Sequence, residues 1–231
     1  MPEFTSAAAA VAGGVLPALA WLWFWRREDS KHPEPRRLIA LAFIAGMICV
    51  AVAVPLEKFV QPFLATQMLI FSAWSVIEEV LKYLFAFATV LRRRDNDEPI
   101  DPVIYMVTLA LGFAAAENTL FLLSPISVHT PMEIFMTGNL RFVGATLLHV
   151  ISSAAIGVCL GVTFYKRRAV RRYAAIVGVI LASLLHAGFN FFILSAPEET
   201  LLRTFSFVWI GVIVLLAVLE YIKRIHPRLV G

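Results

Sequence analysis

Glu78, Glu79 and Lys82 interrupt a stretch, Phe63–Leu91, that carries no other charge and otherwise reads as a membrane span. An ionisable residue at the middle of a spanning helix costs roughly 2.5–3.5 kcal/mol. Crossing a bilayer needs none, so such residues are expected to face the protein interior and mark a functional site. Glu78 and Lys82 are spaced i,i+4 with the acid first, the favourable order for a pair on one helix face. Glu79 projects about 100° away, so one acid is expected to pair with Lys82 while the other faces a cavity. Later apolar stretches add further polar groups at helical spacings. Glu117-Asn118 follow Gly112-Phe113, with Phe113 one turn before Glu117. His149 is the lone ionisable residue between Arg141 and Lys166, and His186 and Asn190 are i,i+4, with Gly188 between them expected to allow close helix approach.

Two carboxylates, two histidines and an amide can bind Zn²⁺ or activate water directly. Glu117, His149 and His186 have the composition of a catalytic zinc site with an open fourth position, with Glu78 or Glu79 as general base. In a metal-free version one glutamate takes the proton from water while a histidine and Asn190 stabilise the oxyanion. Both versions stay open at this level, with bound zinc expected slightly ahead of the metal-free version; the choice between Glu78 and Glu79 is open too, and Lys82 is placed to tune either acid. The chain has no G-x-S-x-G and no H-E-x-x-H, so acid-driven hydrolysis inside the membrane fits best. A proton- or ion-coupled transporter using the same buried Glu/His/Lys set is the alternative, although no inverted repeat of broken helices is visible. A retinal protein would need a lysine in the last span, which has none before Lys223.

The elements that must position these groups are helices in a bilayer. Hydrophobic residues make up 60% of the chain and the mean hydropathy is +0.80, values of an all-α polytopic membrane protein. With about 20 apolar residues needed per crossing, seven spans are expected, near 6–25, 38–54, 63–91, 101–123, 140–165, 173–196 and 202–222. They form a single integral-membrane unit over 1–231, with the chemistry-bearing helices at about 63–196. The third span is the longest and is expected to tilt or to begin with a turn at the outer interface. Sixteen Lys and Arg residues fall in alternate connections and the C-terminal tail, against three (Lys58, Arg141, Arg203) on the opposite side. The positive-inside rule then places the N-terminus outside and the C-terminus in the cytoplasm. Counting 1.5 Å per residue from the outer ends puts Glu117 roughly 10 Å deep, His149 about 13 Å, His186 about 15 Å and Glu78 about 15–23 Å, a common level in the outer half of the membrane.

The remaining features are less specific. The net charge of +4 is explained by arginines at helix ends facing anionic lipid, and no nucleic-acid partner is implied. Met1-Pro2-Glu3 lacks a basic n-region, so the first span is expected to be retained. Cys49 and Cys159 lie inside spans and imply no disulfide. His32, His129 and His226 are expected to be solvated loop residues. Trp21, Trp23 and Trp25 fit an aromatic belt, Gly157 and Gly161 form a small-xxx-small pair suited to close packing, and the connection over 124–139 could form a short interfacial helix over the bundle.

Taken in order, Glu78-Glu79-x-x-Lys82, Gly112-Phe113-x-x-x-Glu117-Asn118, His149 and His186-x-x-x-Asn190 resemble the motifs of PrsW-type intramembrane proteases, within the superfamily of CAAX prenyl endopeptidases and bacteriocin-processing enzymes. The resemblance runs from about Leu69 to Phe192. It implies a glutamate of the double acid as the water-activating base, later motifs that bind or polarise the substrate carbonyl, and a membrane-protein or peptide substrate such as an anti-sigma factor, cut on the extracytoplasmic side. It also implies a bacterial or archaeal plasma membrane. The prenyl-endopeptidase branch has an arginine one position beyond Lys82 and a histidine at the place of Glu117, so both departures favour the PrsW-like branch. The family is commonly labelled a metalloprotease while the prenyl enzymes are described as glutamate proteases, which leaves the metal open.

Overall fold

Long apolar runs with few breakers should pair every backbone N–H and C=O within helices, the form that survives without water. The computed structural model, which describes residues 2–29, 32–123, 131–195 and 201–226, has helices and no strand among those residues. The helices are α1 (Pro2–Trp25), α2 (Arg36–Val60), α3 (Gln67–Ala86), α4 (Asp101–Leu123), α5 (Pro131–Val162), α6 (Arg168–Ser195) and α7 (Leu201–Ile222). Four segments, Arg36–Phe63, Asp101–Leu123, Gly144–Val162 and Arg168–Phe191, are long and apolar enough to cross a membrane, and Ala10–Trp25 and Ser206–Ile222 are shorter apolar stretches. Helix α3 is not among them because it carries three charged residues, Glu78, Glu79 and Lys82.

Helix α4 is the axis of the bundle. It is apolar all round and buried almost continuously from Asp101 to Ala115, as expected of a helix surrounded by others. Helices α1, α2 and α5 pack on it, while α6 packs on α5 and α3, and α7 on α5. The α2–α4 crossing is set by two glycines: a Cβ on Gly112 would lie 1.9 Å from the Phe43 carbonyl oxygen, and one on Gly46 2.0 Å from that of Leu109. The two backbones touch, which fixes the rotation of α4 and the direction of Phe113 and Glu117. Gly157 does the same between α5 and α4, where a Cβ would lie 2.5 Å from Val103 Cα, in keeping with the expected close packing of α5.

Several expectations are revised. Helix α2 runs on past Val54 to Val60 through Pro55, and a 3₁₀ turn at Gln61–Phe63 and the Thr66 cap, whose side chain accepts from Leu69 N at 3.3 Å, precede α3. The turn expected at the start of the third span is therefore present. Helix α5 begins at Pro131 rather than near 140, because proline is well suited to the first turn of a helix. No separate interfacial helix forms over 131–139, and 124–130 lie outside the described residues, as does His129. The tryptophans are not a uniform belt: Trp25 is buried in the core, Trp21 packs on Trp209, and Trp23 is exposed beneath Arg27. His32 is not merely solvated, since it bonds Glu98.

Candidate active site

Helices α3 to α6 bring their polar residues to one buried locus. Lys82 is fully buried and lies at its centre. Its ammonium donates to Glu79 Oε1 at 2.8 Å, to Glu78 Oε2 at 3.2 Å and to His149 Nδ1 at 2.9 Å. Three donors meet three acceptors, so the charge is fully satisfied. Phe113 lies beneath it, with Nζ 4.1 Å from the ring centroid, a cation–π contact that further stabilises a desolvated ammonium. The expected division of labour between the acids is corrected here: both carboxylates reach Lys82, because its long stem spans i−3 and i−4 alike.

The two acids nevertheless differ. Glu79 has no exposed surface and takes three donors: Lys82, His186 Nδ1 at 2.9 Å and Ser153 Oγ at 2.7 Å. Glu78 keeps a small exposure and carries the longer bond to Lys82. Its Oε2 lies 3.7 Å from His149 Nδ1 and 3.9 Å from His186 Nε2, distances at which a water, though not a direct bond, can join them.

Hydrogen bonding assigns the imidazoles. His149 Nδ1 accepts from Lys82, so its proton is on Nε2, which donates to Glu117 Oε2 at 2.7 Å. His186 donates Nδ1–H to Glu79, which leaves the Nε2 lone pair facing Glu78. The two rings meet edge to face at 4.9 Å. The side chain of Glu117 is 43% exposed, against 8% for Glu78 and 3% or less for Glu79, Lys82, His149 and His186, so the locus opens past Glu117.

The other expected members lie at its edge. Asn190 Nδ2 reaches Ser75 Oγ at 3.5 Å, one turn of α3 away from Glu78 and Glu79. Asn118 donates to Thr146 Oγ1 at 3.2 Å and ties α4 to α5 rather than entering the locus. A Cβ on Gly188 would meet nothing within 4 Å, so this glycine mediates no close approach. Ser153, Ser75 and Thr146 are partners that the motifs did not point to. Helical spacing held the signal for two of them, since Ser153 is i+4 from His149 and Ser75 is i−4 from Glu79.

A metal would need several free lone pairs converging on one point. Glu78, His149 and His186 offer ligand atoms within 4.8 Å of one another, whereas Glu117, the carboxylate expected in that set, is engaged by His149 Nε2. Three carboxylates against one ammonium also leave negative charge for a cation to balance. His149, however, has neither nitrogen free: Nδ1 takes a proton from Lys82 and Nε2 gives one to Glu117. Spacing fits a metal, but lone-pair supply does not, because the Lys82 ammonium already holds the cation position.

The profile of the PrsW family intramembrane metalloprotease matches residues 34–219, which include every member of the site. "Protease PrsW" of Geobacillus kaustophilus (strain HTA426) is 27% identical over 195 residues, 80% of each chain. "Protease PrsW" of Bacillus subtilis (strain 168) is 27% identical over 218 residues, 88% of this chain and 92% of that one. "Protease PrsW" of Clostridioides difficile (strain 630) is 26% identical over 187 residues, 78% and 77%. No solved structure matches. The chain belongs to the PrsW family of intramembrane proteases.

Proposed function

We propose that this protease hydrolyses a peptide bond of a membrane-protein substrate with a water activated by Glu78, and that Lys82 supplies the positive charge at the site. The observation that carries the reading is the unequal use of the two acids. Glu79 is saturated by three donors, while Glu78 faces the free Nε2 of His186 across 3.9 Å.

In this reading a water bridges Glu78 Oε2 and His186 Nε2. Glu78 takes its proton as the oxygen attacks the scissile carbonyl. The oxyanion that forms is stabilised by the nearby Lys82 ammonium, whose bond to Glu78 weakens as that acid takes the proton, and by the Asn190 carboxamide, a donor whose bond to Ser75 is long enough to exchange. Glu78 then gives the proton to the departing amine. Glu79 holds His186 in the tautomer that leaves Nε2 facing the water, and Glu117 fixes His149 in the same way. The substrate enters past Glu117, the most open member. No step passes through a metal, because His149 lacks a free lone pair. The family label of metalloprotease leads to a testable opposite, with Glu78, His149 and His186 as ligands. Membership of a protease family disfavours the transporter alternative. A single-span anti-sigma factor remains the kind of substrate implied, in a bacterial membrane like those of the relatives.

The test is cleavage of a co-expressed single-span substrate. Wild type and Glu34→Gln should process it, and Glu78→Gln should not. Wild-type processing by Glu78→Gln would refute the assignment of the base.

A further inference from the structure

Two cavities lie at the end of the bundle where the basic connections gather, and they differ in charge balance. The first, between the α1–α2 connection and the C-terminal segment, holds Glu28, Asp29, Glu98 and Glu220 beside Arg27, His32 and Lys223. Its cations have partners: Lys223 bonds Glu28 at 2.8 Å and Glu220 at 2.6 Å, and His32 bonds Glu98. The second, a cavity of about 660 Å³, is lined by Arg92, Arg168, Arg171, Arg172 and Asn96, with Tyr83 at its side, and by no carboxylate. Among the described residues no acidic side chain pairs with any of these four arginines.

Four guanidinium groups around one cavity repel one another, and the repulsion is relieved by an anion from outside the chain. The cavity is also prepared for one. Arg171 lies over the Phe164 ring at 5.1 Å and Arg92 over the Phe87 ring at 5.5 Å, cation–π contacts that hold the charges at the cavity without using their N–H groups. Such forks match phosphate oxygens.

The source of the phosphate follows from what adjoins the cavity. Tyr83 and Arg172 also line a groove of about 430 Å³ whose other walls are Ala175, Ile176, Val179 and Ile180. Ile176 and Ile180 are more than half exposed, on a helix apolar and long enough to cross a membrane. A polar, cationic chamber thus continues into an apolar channel along α3 and α6. A soluble anion would use only the first half of it. We propose that this composite cavity binds one anionic phospholipid, its phosphate among Arg92, Arg168, Arg171 and Arg172 and an acyl chain in the α3–α6 groove. Basic pockets at helix ends bind such head groups. The lipid would bridge the helix that carries Glu78, Glu79 and Lys82 to the one that carries His186, though its binding does not depend on the proposed chemistry.

Native mass spectrometry of purified protein, delipidated and re-equilibrated with phosphatidylglycerol, phosphatidylcholine or inorganic phosphate alone, tests the proposal. Wild type should retain one phosphatidylglycerol and no phosphatidylcholine. Arg168→Gln/Arg172→Gln should lower that retention roughly tenfold or more. Lys166→Gln/Arg167→Gln removes two charges from the same connection but none from the cavity, and it should retain lipid as wild type does. Val179→Trp, which fills the groove without altering charge, should also release the lipid. Equal losses in the two charge variants, retention of phosphatidylcholine as strong as that of phosphatidylglycerol, unchanged retention in Val179→Trp, or full displacement by inorganic phosphate would each overturn it.

Discussion

Two clusters of carboxylates are separated by roughly 24 Å along α4, judged from the 16-residue step from Asp101 to Glu117, and they differ in what holds them. At the lower cluster, Asp101 Oδ2 accepts from the backbone N–H of Asp97 at 2.8 Å and of Glu98 at 2.6 Å, Asp29 accepts from Glu34 N at 3.0 Å, and Glu34 takes the Tyr105 hydroxyl. These acids fasten connections to the start of α4. At the upper cluster, Glu78, Glu79 and Glu117 are held by a lysine and two imidazoles, side chains that can exchange protons. Each region also holds three side chains whose ligand atoms lie within 4.8 Å of one another, Glu78, His149 and His186 in one and Asp29, Glu98 and Asp101 in the other. Proximity of ionisable groups is therefore a poor sign of chemistry by itself. The nature of the donors separates a structural clamp from a site.

The largest effect that would sharpen this contrast is on the upper cluster. Glu78→Gln keeps the shape and removes the base, so cleavage by purified protein should fall by about a thousandfold, within the usual range for a lost general base, while Tm falls less than in the Lys82 variant because Lys82 keeps its bond to Glu79. Lys82→Met should lose activity and also unfold more easily. Removing one partner of a buried charge set typically costs about 3–5 kcal/mol, read as a lower Tm in detergent. Ser153→Ala takes one donor from Glu79, and a lost hydrogen bond to a charged group, worth roughly 1.5–3 kcal/mol, should slow cleavage by about tenfold or more.

The smallest expected effect is at the lower cluster. Burial pushes the Glu34 carboxyl up to about 8, with the nearby Asp101 charge adding to it, and burial likewise lifts Asp29 to about 6. A carboxyl whose folded pKa is raised binds its proton more tightly when folded. Its contribution to stability is thus full below the unfolded value, 4.5 for Glu34, and declines as pH rises toward about 8. Thermal denaturation should show Tm decreasing over that window in wild type. Glu34→Gln should flatten the slope and leave cleavage within about twofold, because Glu34 is fastened to the start of α4 and shares no partner with Glu78. A large loss of cleavage in Glu34→Gln would erase the distinction between the clusters.

Much of the upper cluster was legible in the sequence because a bilayer makes polar residues conspicuous. Glu78, Lys82, Glu117, His149 and His186 each stand nearly alone in an apolar run, and helical spacing gave their faces. What the sequence did not reveal depended on reach and on neighbours. That Lys82 spans both acids follows from the length of its side chain, and that His149 is spent on both nitrogens needs three helices in place. Asn118 looked like a site residue only because it follows Glu117, yet the next position of a helix points elsewhere. The helix ends were misjudged at α2 and α5 because hydropathy locates the apolar slab, while backbone hydrogen bonding carries a helix past it. The clamp at Asp29, Glu34 and Asp101 had no periodic signal, being assembled from a loop and a helix start.

The central claim is that Lys82, with no metal, supplies the cation beside a water activated by Glu78. The most direct measurement is the cleavage rate of purified wild type after exhaustive chelation, with metal content measured on the same sample and Glu78→Gln run in parallel. Metal-free wild type should cleave at its original rate, and Glu78→Gln should not cleave. Loss of activity on chelation that is restored by one equivalent of zinc, held by Glu78, His149 and His186, would contradict it.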